Sequence, residues 1–315
     1  PAPTVTISED ANDDGLINAA ELDGDVNVTI TVPSEAKIGD TLNVINPDGS
    51  TTDYPVDQEM LDNGLSLTYP APAEGEEIEV KATITDLAGN VSEEDTDSAV
   101  IDTVATDAPI VTITEDTNDD GLLSGDELDG PVNVVIEVPA GTEIDDTITV
   151  TNPDGSTTDY PVTQDIIDNG LPLEYPAPAE GEELTVSAVI TDEAGNTSEP
   201  GTDTVTLDTV ATPAPTVTIS EDANDDGLIN AAELDGDVNV TITVPSEAKI
   251  GDTLNVINPD GSTTDYPVDQ EMLDNGLSLT YPAPAEGEEI EVKATITDLA
   301  GNVSEEDTDS AVIDT

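Results

Sequence analysis

The feature that most constrains this chain is that it repeats itself. Asp10, Asp116 and Asp222 open matching segments 106 residues apart, and Pro1 to Thr103 recurs without change as Pro213 to Thr315. The middle copy is a diverged version at the same spacing. A period of this length is that of a whole domain, so each copy must bury a core of its own, unlike a solenoid turn that borrows its neighbour's. The sequence therefore reads as three domains, 1–106, 107–212 and 213–315. They are joined by the short segments Val104-Ala105-Thr106 and Val210-Ala211-Thr212.

Within one copy, apolar residues alternate with polar ones. In Val26-Asn27-Val28-Thr29-Ile30-Thr31-Val32 the valines and the isoleucine share one face, and Ile78 to Ile84 does the same. The diverged copy tests the assignment internally. Glu79 becomes Thr185 and Lys81 becomes Ser187, whereas Val80, Ala82 and Ile84 reappear as Val186, Ala188 and Ile190. Similar patterns at Thr4–Ser8, Thr41–Asn46, Thr51–Val56, Leu65–Tyr69 and Ser98–Asp102 bring the count to seven short strands, with Asn46-Pro47-Asp48-Gly49 as a turn between two of them. About seven strands in a hundred residues predict an all-β chain of three tandem immunoglobulin-like β-sandwich domains arranged end to end. No Cys…Trp…Cys pattern is present, so the match is to the architecture and not to antibody domains.

Charge then limits what such domains can do. The 315 residues include 73 Asp or Glu and four Lys, with no Arg and no His, for a formal charge of −69. A polyanion of this density repels nucleic acid and anionic membrane, and no apolar run is long enough to span a bilayer, so neither nucleic acid nor membrane insertion is expected. The absence of His and Cys removes the commonest general base, the thiolate nucleophile and the usual zinc ligands, and six Tyr without Trp or Phe offer little platform for sugars. Catalysis is not expected. So many carboxylates call for divalent counterions, or else for a disordered chain, and the regular strand alternation argues for the former. No signal peptide precedes Pro1, so the chain reads as an internal piece of something longer.

The counterion has a candidate address. Asp10-Ala11-Asn12-Asp13-Asp14-Gly15-Leu16-Ile17-Asn18-Ala19-Ala20-Glu21 fits the calcium-loop pattern D-x-[DN]-x-[DN]-G-x5-E without a gap. Calcium takes six to eight oxygens, which this spacing supplies from Asp10, Asn12, Asp14, the Leu16 carbonyl, Asn18 directly or through water, and a bidentate Glu21. The middle copy offers Asp116, Asn118, Asp120, Leu122, Ser124 and Glu127; the third offers Asp222, Asn224, Asp226, Leu228, Asn230 and Glu233. The loop follows a strand and not a helix, so only the loop resembles an EF-hand, and Asn18 to Leu22 is expected to form one exiting helical turn. A second constellation sits at the domain ends. With an odd number of alternating strands, the loops at Asp10–Glu21 and Pro70–Glu77 and the exit at Asp102 share the trailing pole. The turn at Asp86 lies at the leading pole. Glu74, Glu76, Glu77 and Asp102 would then face Asp192 and Asn196, with Asp208 in the corresponding place one repeat on, and a cation there would bridge two domains. Solvated loop charges are the plainer alternative.

The run Thr85-Asp86-Leu87-Ala88-Gly89-Asn90-Val91-Ser92, followed by Ile101-Asp102-Thr103 and an Ala-x-x-Ala-Pro entry to the next copy, resembles the bacterial immunoglobulin-like repeats of giant repeats-in-toxin type adhesins used in biofilm formation and ice attachment. That resemblance implies an extender: a calcium-rigidified spacer on the outside of a bacterial cell, projecting terminal ligand-binding domains. Its partners would be calcium ions and its own neighbouring repeats, and it would be a monomer about 120 Å long at ~3.3 Å per strand residue. Two other readings stay open. The domains could themselves grip a partner as a calcium-dependent adhesive module, or the chain could be an acidic calcium-buffering matrix protein.

Overall fold

The computed structural model describes all residues, Pro1 to Thr315. In the first repeat the elements are β1 (Thr4–Ile7), β2 (Leu16–Ile17), β3 (Val26–Thr31), β4 (Thr41–Ile45), β5 (Thr51–Pro55), α1 (Gln58–Asn63), β6 (Leu65–Tyr69), β7 (Glu77–Thr85) and β8 (Asp95–Ile101). Two sheets result, one ordered β1-β3-β6 and the other β2-β8-β7-β4-β5, and the other two copies keep both orders. Apart from β2, successive strands alternate in direction, but neighbours within a sheet are mostly not consecutive, so the layout is a Greek-key sandwich. All three tandem units are β-sandwiches of this kind.

The alternation read from the sequence is the inside-outside pattern of the sandwich. Val26, Val28 and Ile30 of β3 have no exposed surface, and they face Leu42, Val44, Ile78 and Val80 of the other sheet in one core. The third copy builds the same core from Val238, Val240, Ile242, Leu254, Val256, Ile290 and Val292. Aliphatic side chains fill each core and tyrosines seal its edge. The half-buried Tyr69 hydroxyl donates to Asn46 Oδ1 at 2.7 Å, tying β6 to the β4–β5 turn, and burial first, then Tyr54 and Asp48, push its pKa up to about 12.

The structure departs from the seven-strand expectation in two places. An eighth strand, β2, pairs parallel with β8 through Leu16↔Val100 and Ile17↔Ile101, a stretch of two residues that alternation cannot reveal. The helix α1 also went unread, although its signals are present. Asp57 Oδ1 accepts the Met60 N–H at 2.9 Å as an N-cap, Met60 is buried, and Gly64 closes the helix at φ 75°. Gly64 also passes close to β3: a Cβ there would lie 2.8 Å from the Ile30 carbonyl oxygen.

The two sheets are stitched at one edge by carboxylates. Asp95 and Asp97 of β8 accept the N–H groups of Val5 and Ile7 at 2.8 and 2.7 Å, so the edge strand β1 finds partners outside its own sheet. Asp307 and Asp309 do the same for Val217 and Ile219 in the third copy. The middle copy keeps only Asp203, on Ile113; Gly201 replaces the other aspartate because the Pro109 carbonyl approaches so closely that a Cβ would lie 1.9 Å from its oxygen.

By contact density the chain divides into two compact units. The first comprises Pro1–Val111, Ile136–Leu171 and Ser187–Thr202; it holds the first sandwich together with the part of the middle copy that meets its trailing end. The second comprises Thr112–Val135, Pro172–Val186 and Asp203–Thr315, and holds the third sandwich with the remainder of the middle copy. Each repeat junction therefore lies inside one unit. No helix is long and apolar enough to cross a membrane.

Candidate metal loops and repeat junctions

The twelve-residue loop connects β1 to β3, and β2 pins its middle to the sheet. The Gly15 carbonyl accepts the Val100 N–H at 2.9 Å, the Ile17 carbonyl accepts the Asp102 N–H at 3.0 Å, and the Ile17 side chain is wholly buried. Upstream of this anchor the chain turns sharply, with Asp13 at φ 59° and Gly15 at φ 83°. Three oxygen-bearing side chains gather on the turn. Asp10 accepts from the N–H groups of Asp14 and Gly15 at 3.1 and 3.0 Å, Asn12 from Asp14 at 3.1 Å, and Asp14 from Leu16 at 2.9 Å. The middle copy reproduces this set with Asp116, Asn118 and Asp120, and the third with Asp222, Asn224 and Asp226.

The last two positions of the loop are turned to another task. Asn18 Oδ1 accepts the N–H groups of Ala20 and Glu21 at 2.8 and 3.1 Å, while Glu21 reaches back to the Asn18 N–H at 3.1 Å. This is a reciprocal capping box on the single turn that closes with the Leu22 N–H on the Asn18 carbonyl, one turn and no helix. Ser124 with Glu127, and Asn230 with Glu233, repeat the Glu-to-main-chain half of it. Burial opposes ionisation of Glu127, but hydrogen bonds from Ser124 and Thr117 outweigh it and hold the carboxyl below its usual range. Nowhere in the chain are three Asp or Glu carboxylates drawn together tightly enough to form a ready-made metal cage.

The end of each repeat is the second site. Asp102, at the exit of β8, meets the Asp192-to-Asn196 turn of the middle copy. The Asn196 amide donates to the Asp102 carbonyl at 2.8 Å and accepts the Ala19 N–H at 3.0 Å, and Asn18 donates to the Ala194 carbonyl at 2.8 Å. One repeat later, Asn302 donates to the Asp208 carbonyl at 2.6 Å and accepts the Gly125 N–H at 2.9 Å. Of the other acidic residues expected here, Glu74 accepts from the N–H and hydroxyl of Thr103, Glu76 from the Ala73 N–H, Glu77 lies on β7 opposite Val100, and Asp86 holds its own turn through Ala88 and Asn90. The structure shows no bond from these four to another repeat.

Around the first junction lies an open cleft of about 230 Å³ lined by Asp102, Glu143, Asp146, Asp192 and Glu193. Burial, then Asp192 and Glu74, raise the pKa of Asp102; burial and Asp192 raise that of Asp146 against an opposing hydrogen bond from the Glu143 N–H. Burial and Asp298 likewise raise Asp208, although Lys249, 3.9 Å away, works against them. Asp252, only 1% exposed, leaves Oδ1 buried with no hydrogen-bond partner. Sequence reading missed Asp146, Asp252 and Lys249. The aspartates carried a signal, since Asp40, Asp146 and Asp252 stand unchanged in three copies immediately before a strand.

Among curated protein sequences none matches this chain. Solved structures with similar chains include one from a 1.5-MDa bacterial ice-binding adhesin, 22% identical, with 100% of this chain and 99% of that one covered and a TM-score of 0.39. A Ca2+-stabilized adhesin of an Antarctic bacterium that binds ice is 26% identical over 100% of this chain and 74% of that one, TM-score 0.39. A tetra-tandem repeat from the extending region of a large adhesion protein is 19% identical, with 98% and 74% covered, TM-score 0.30. The sequence pattern of the bacterial Ig-like domain matches three times, at residues 33–103, 140–209 and 243–315, once per copy and over more than half of the chain. The protein therefore belongs to the bacterial Ig-like domain family, as three tandem members in one chain.

Proposed function

We propose that the chain is an extender: a non-enzymatic, calcium-stiffened spacer of a bacterial cell-surface adhesin, holding other domains away from the cell. The adhesins named above are what the chain resembles, and the reading rests on its own residues. The observation that carries it is the way each repeat ends. Main chain leaving one sandwich is hydrogen-bonded to the Asp-x-Ala-Gly-Asn turn of the next, across a joining segment too short for the free swing of a Gly/Ser linker. Unchanged recurrence of the first copy as the third suits a spacer, whose task is set by length and stiffness.

Calcium enters this reading in two places. Asp10, Asn12 and Asp14 present hard oxygens on one turn, and Asn18 and Glu21 would complete the set once Glu21 leaves its capping bond. At the junctions Asp102 with Asp146 and Asp192, and Asp208 with Asp252 and Asp298, would share a cation; the unpartnered Asp252 Oδ1 is the atom such an ion would satisfy. Bound calcium supplies positive charge between carboxylates that otherwise repel, stabilising the folded chain by mass action.

Small-angle scattering tests the spacer. In millimolar calcium the profile should be that of an extended particle with a maximum dimension near the ~120 Å set by strand lengths, and chelation should broaden it. Calorimetry tests the loop: replacing Asp10, Asp14 and Glu21 together with Ala should remove at least one bound ion. A profile indifferent to calcium would sink the stiffening role, and an unchanged stoichiometry would sink the loop assignment.

A further inference from the structure

Copies one and three have the same sequence, so the chain contains its own control for what a preceding repeat does to a leading pole. In the third copy, Ala300 is buried at 4% exposure, Asn302 is partly buried, and the Asn302 amide spans the Asp208 carbonyl and the Gly125 N–H. In the first copy the identical turn has Ala88 and Asn90 exposed, and Asn90 bonds only to Asp86 within the turn. The turn's internal bonds are the same in both places, since the Asn302 main-chain N–H and side-chain amide both donate to Asp298. The turn therefore does not need a neighbour to form. What the neighbour adds is the amide's second set of bonds.

Those bonds have a particular character. An asparagine amide carries one acceptor and two donor protons in a plane. Asn196 spends all three: Oδ1 on the Ala19 N–H, and Nδ2 on the Asp102 carbonyl and on its own Asp192. Its shorter bonds across the junction go to main-chain groups on two separate segments of the preceding repeat, the β8 exit and the capping turn of the twelve-residue loop. Fixing two segments through one planar group restricts rotation as well as separation. The Asn196 amide also reaches Asp102 Oδ1, at 3.4 Å, whereas Asn302 bonds the main chain of the preceding repeat alone. Ala19 and Gly125 carry a methyl and no side chain, and a Cβ on Gly125 would be in ordinary contact, 3.5 Å from Asn302 Oδ1.

We propose that Asn196 and Asn302 are positioning residues that set the angle between successive repeats by clamping the main chain of the preceding repeat, and that they do so without metal. The inference deepens the spacer reading and rests on it: calcium would relieve repulsion between the carboxylates, while the asparagine amide supplies the direction. Asn90 presents the same clamp with no partner from this chain.

The test uses the full chain. It has no cysteine, so Glu174→Cys and Thr280→Cys introduce a unique pair of exposed sites for spin labels across the second junction. Distance distributions are recorded in excess chelator and again in millimolar calcium, for the otherwise unchanged chain, Asn302→Ala and Asn302→Asp. The expected result is a parent distribution that in chelator is broader than in calcium but still clearly narrower than that of either variant; Asn302→Asp keeps the acceptor for Gly125 but loses the donor and sets a charge against Asp208. Asn90→Ala, which removes the same turn bonds in an identical sandwich, should melt like Asn302→Ala, showing that the third repeat stays folded when its clamp is cut. An Asn302→Ala distribution in chelator as narrow as the parent's overturns the clamp. Failure of the calcium-stiffened spacer is separately visible, as a parent distribution that calcium leaves unchanged.

Discussion

Exchanging Glu143 for Lys should close the first junction, and the second junction shows by how much. Both interfaces join an asparagine amide to the main chain of the preceding repeat, and they differ in charge. Where the second has Lys249 and Leu299, the first has Glu143 and Glu193. Lys249 Nζ lies 3.9 Å from Asp208 Oδ2. At that separation a unit pair is worth about 1 kcal/mol at the dielectric of water. The water value is the appropriate one, because the Lys249 side chain is 69% exposed and screened by solvent. Glu143→Lys removes a repulsion of comparable size and adds the attraction, so the swing is about 1–2 kcal/mol at low ionic strength and less near 0.15 M, where the Debye length is about 8 Å. The Ala19 N–H, bonded to Asn196 across the junction, reports opening directly. Its hydrogen-exchange protection in chelator should rise about 5–30-fold in Glu143→Lys, and that of Gly125 should fall in Lys249→Glu. Unchanged protection at Ala19, or a gain that persists undiminished in molar salt, would refute the argument that charge at these positions governs the junction.

Three further outcomes follow from the geometry. Gly201→Asp copies the residue that both other repeats carry at this position, yet it should destabilise the chain by roughly 1–3 kcal/mol or more in urea melts, because any Cβ there meets the Pro109 carbonyl at 1.9 Å; a neutral substitution would show that the edge strand can move aside. Ile17→Ala empties a fully buried site and should cost about 2–5 kcal/mol of stability; on the proposal that the loop it anchors holds calcium, calorimetry should show that binding weakened as well. The third outcome concerns pH. Asp102, Asp146 and Asp208 have folded-state pKa values raised above the ordinary 3.8, so the folded junction holds protons more tightly than the unfolded chain; its stability from this source is full below 3.8 and is lost as pH rises through the raised values. Acidification from neutral toward pH 4 in chelator should therefore narrow interdomain distance distributions, and a broadening would contradict the sign.

Much of this was legible before any coordinates. The period of 106 fixes three sandwiches because a domain-length repeat must carry its own core, and the period-two alternation in segments such as Val26 to Val32 decides which side chains fill it. The loop pattern from Asp10 to Glu21 identified the turn on which Asp10, Asn12 and Asp14 meet, since Asx side chains bonding main chain a few residues ahead are a local matter. The strand β2 was not legible, because two residues have no periodicity and their pairing partner, β8, lies more than eighty residues away. Glu21 was read as a metal ligand, and in the fold it caps the turn at Asn18, a competition between two uses of one carboxylate that spacing does not resolve. The junction belonged least to the sequence. Asp-x-Ala-Gly-Asn is a turn wherever it occurs, and Asn90, Asn196 and Asn302 are the same residue in the same turn; only the placing of one repeat's end against the next turns two of them into clamps. Proximity across a joining segment is a tertiary fact, and it decides what an amide with two free bonding directions will hold.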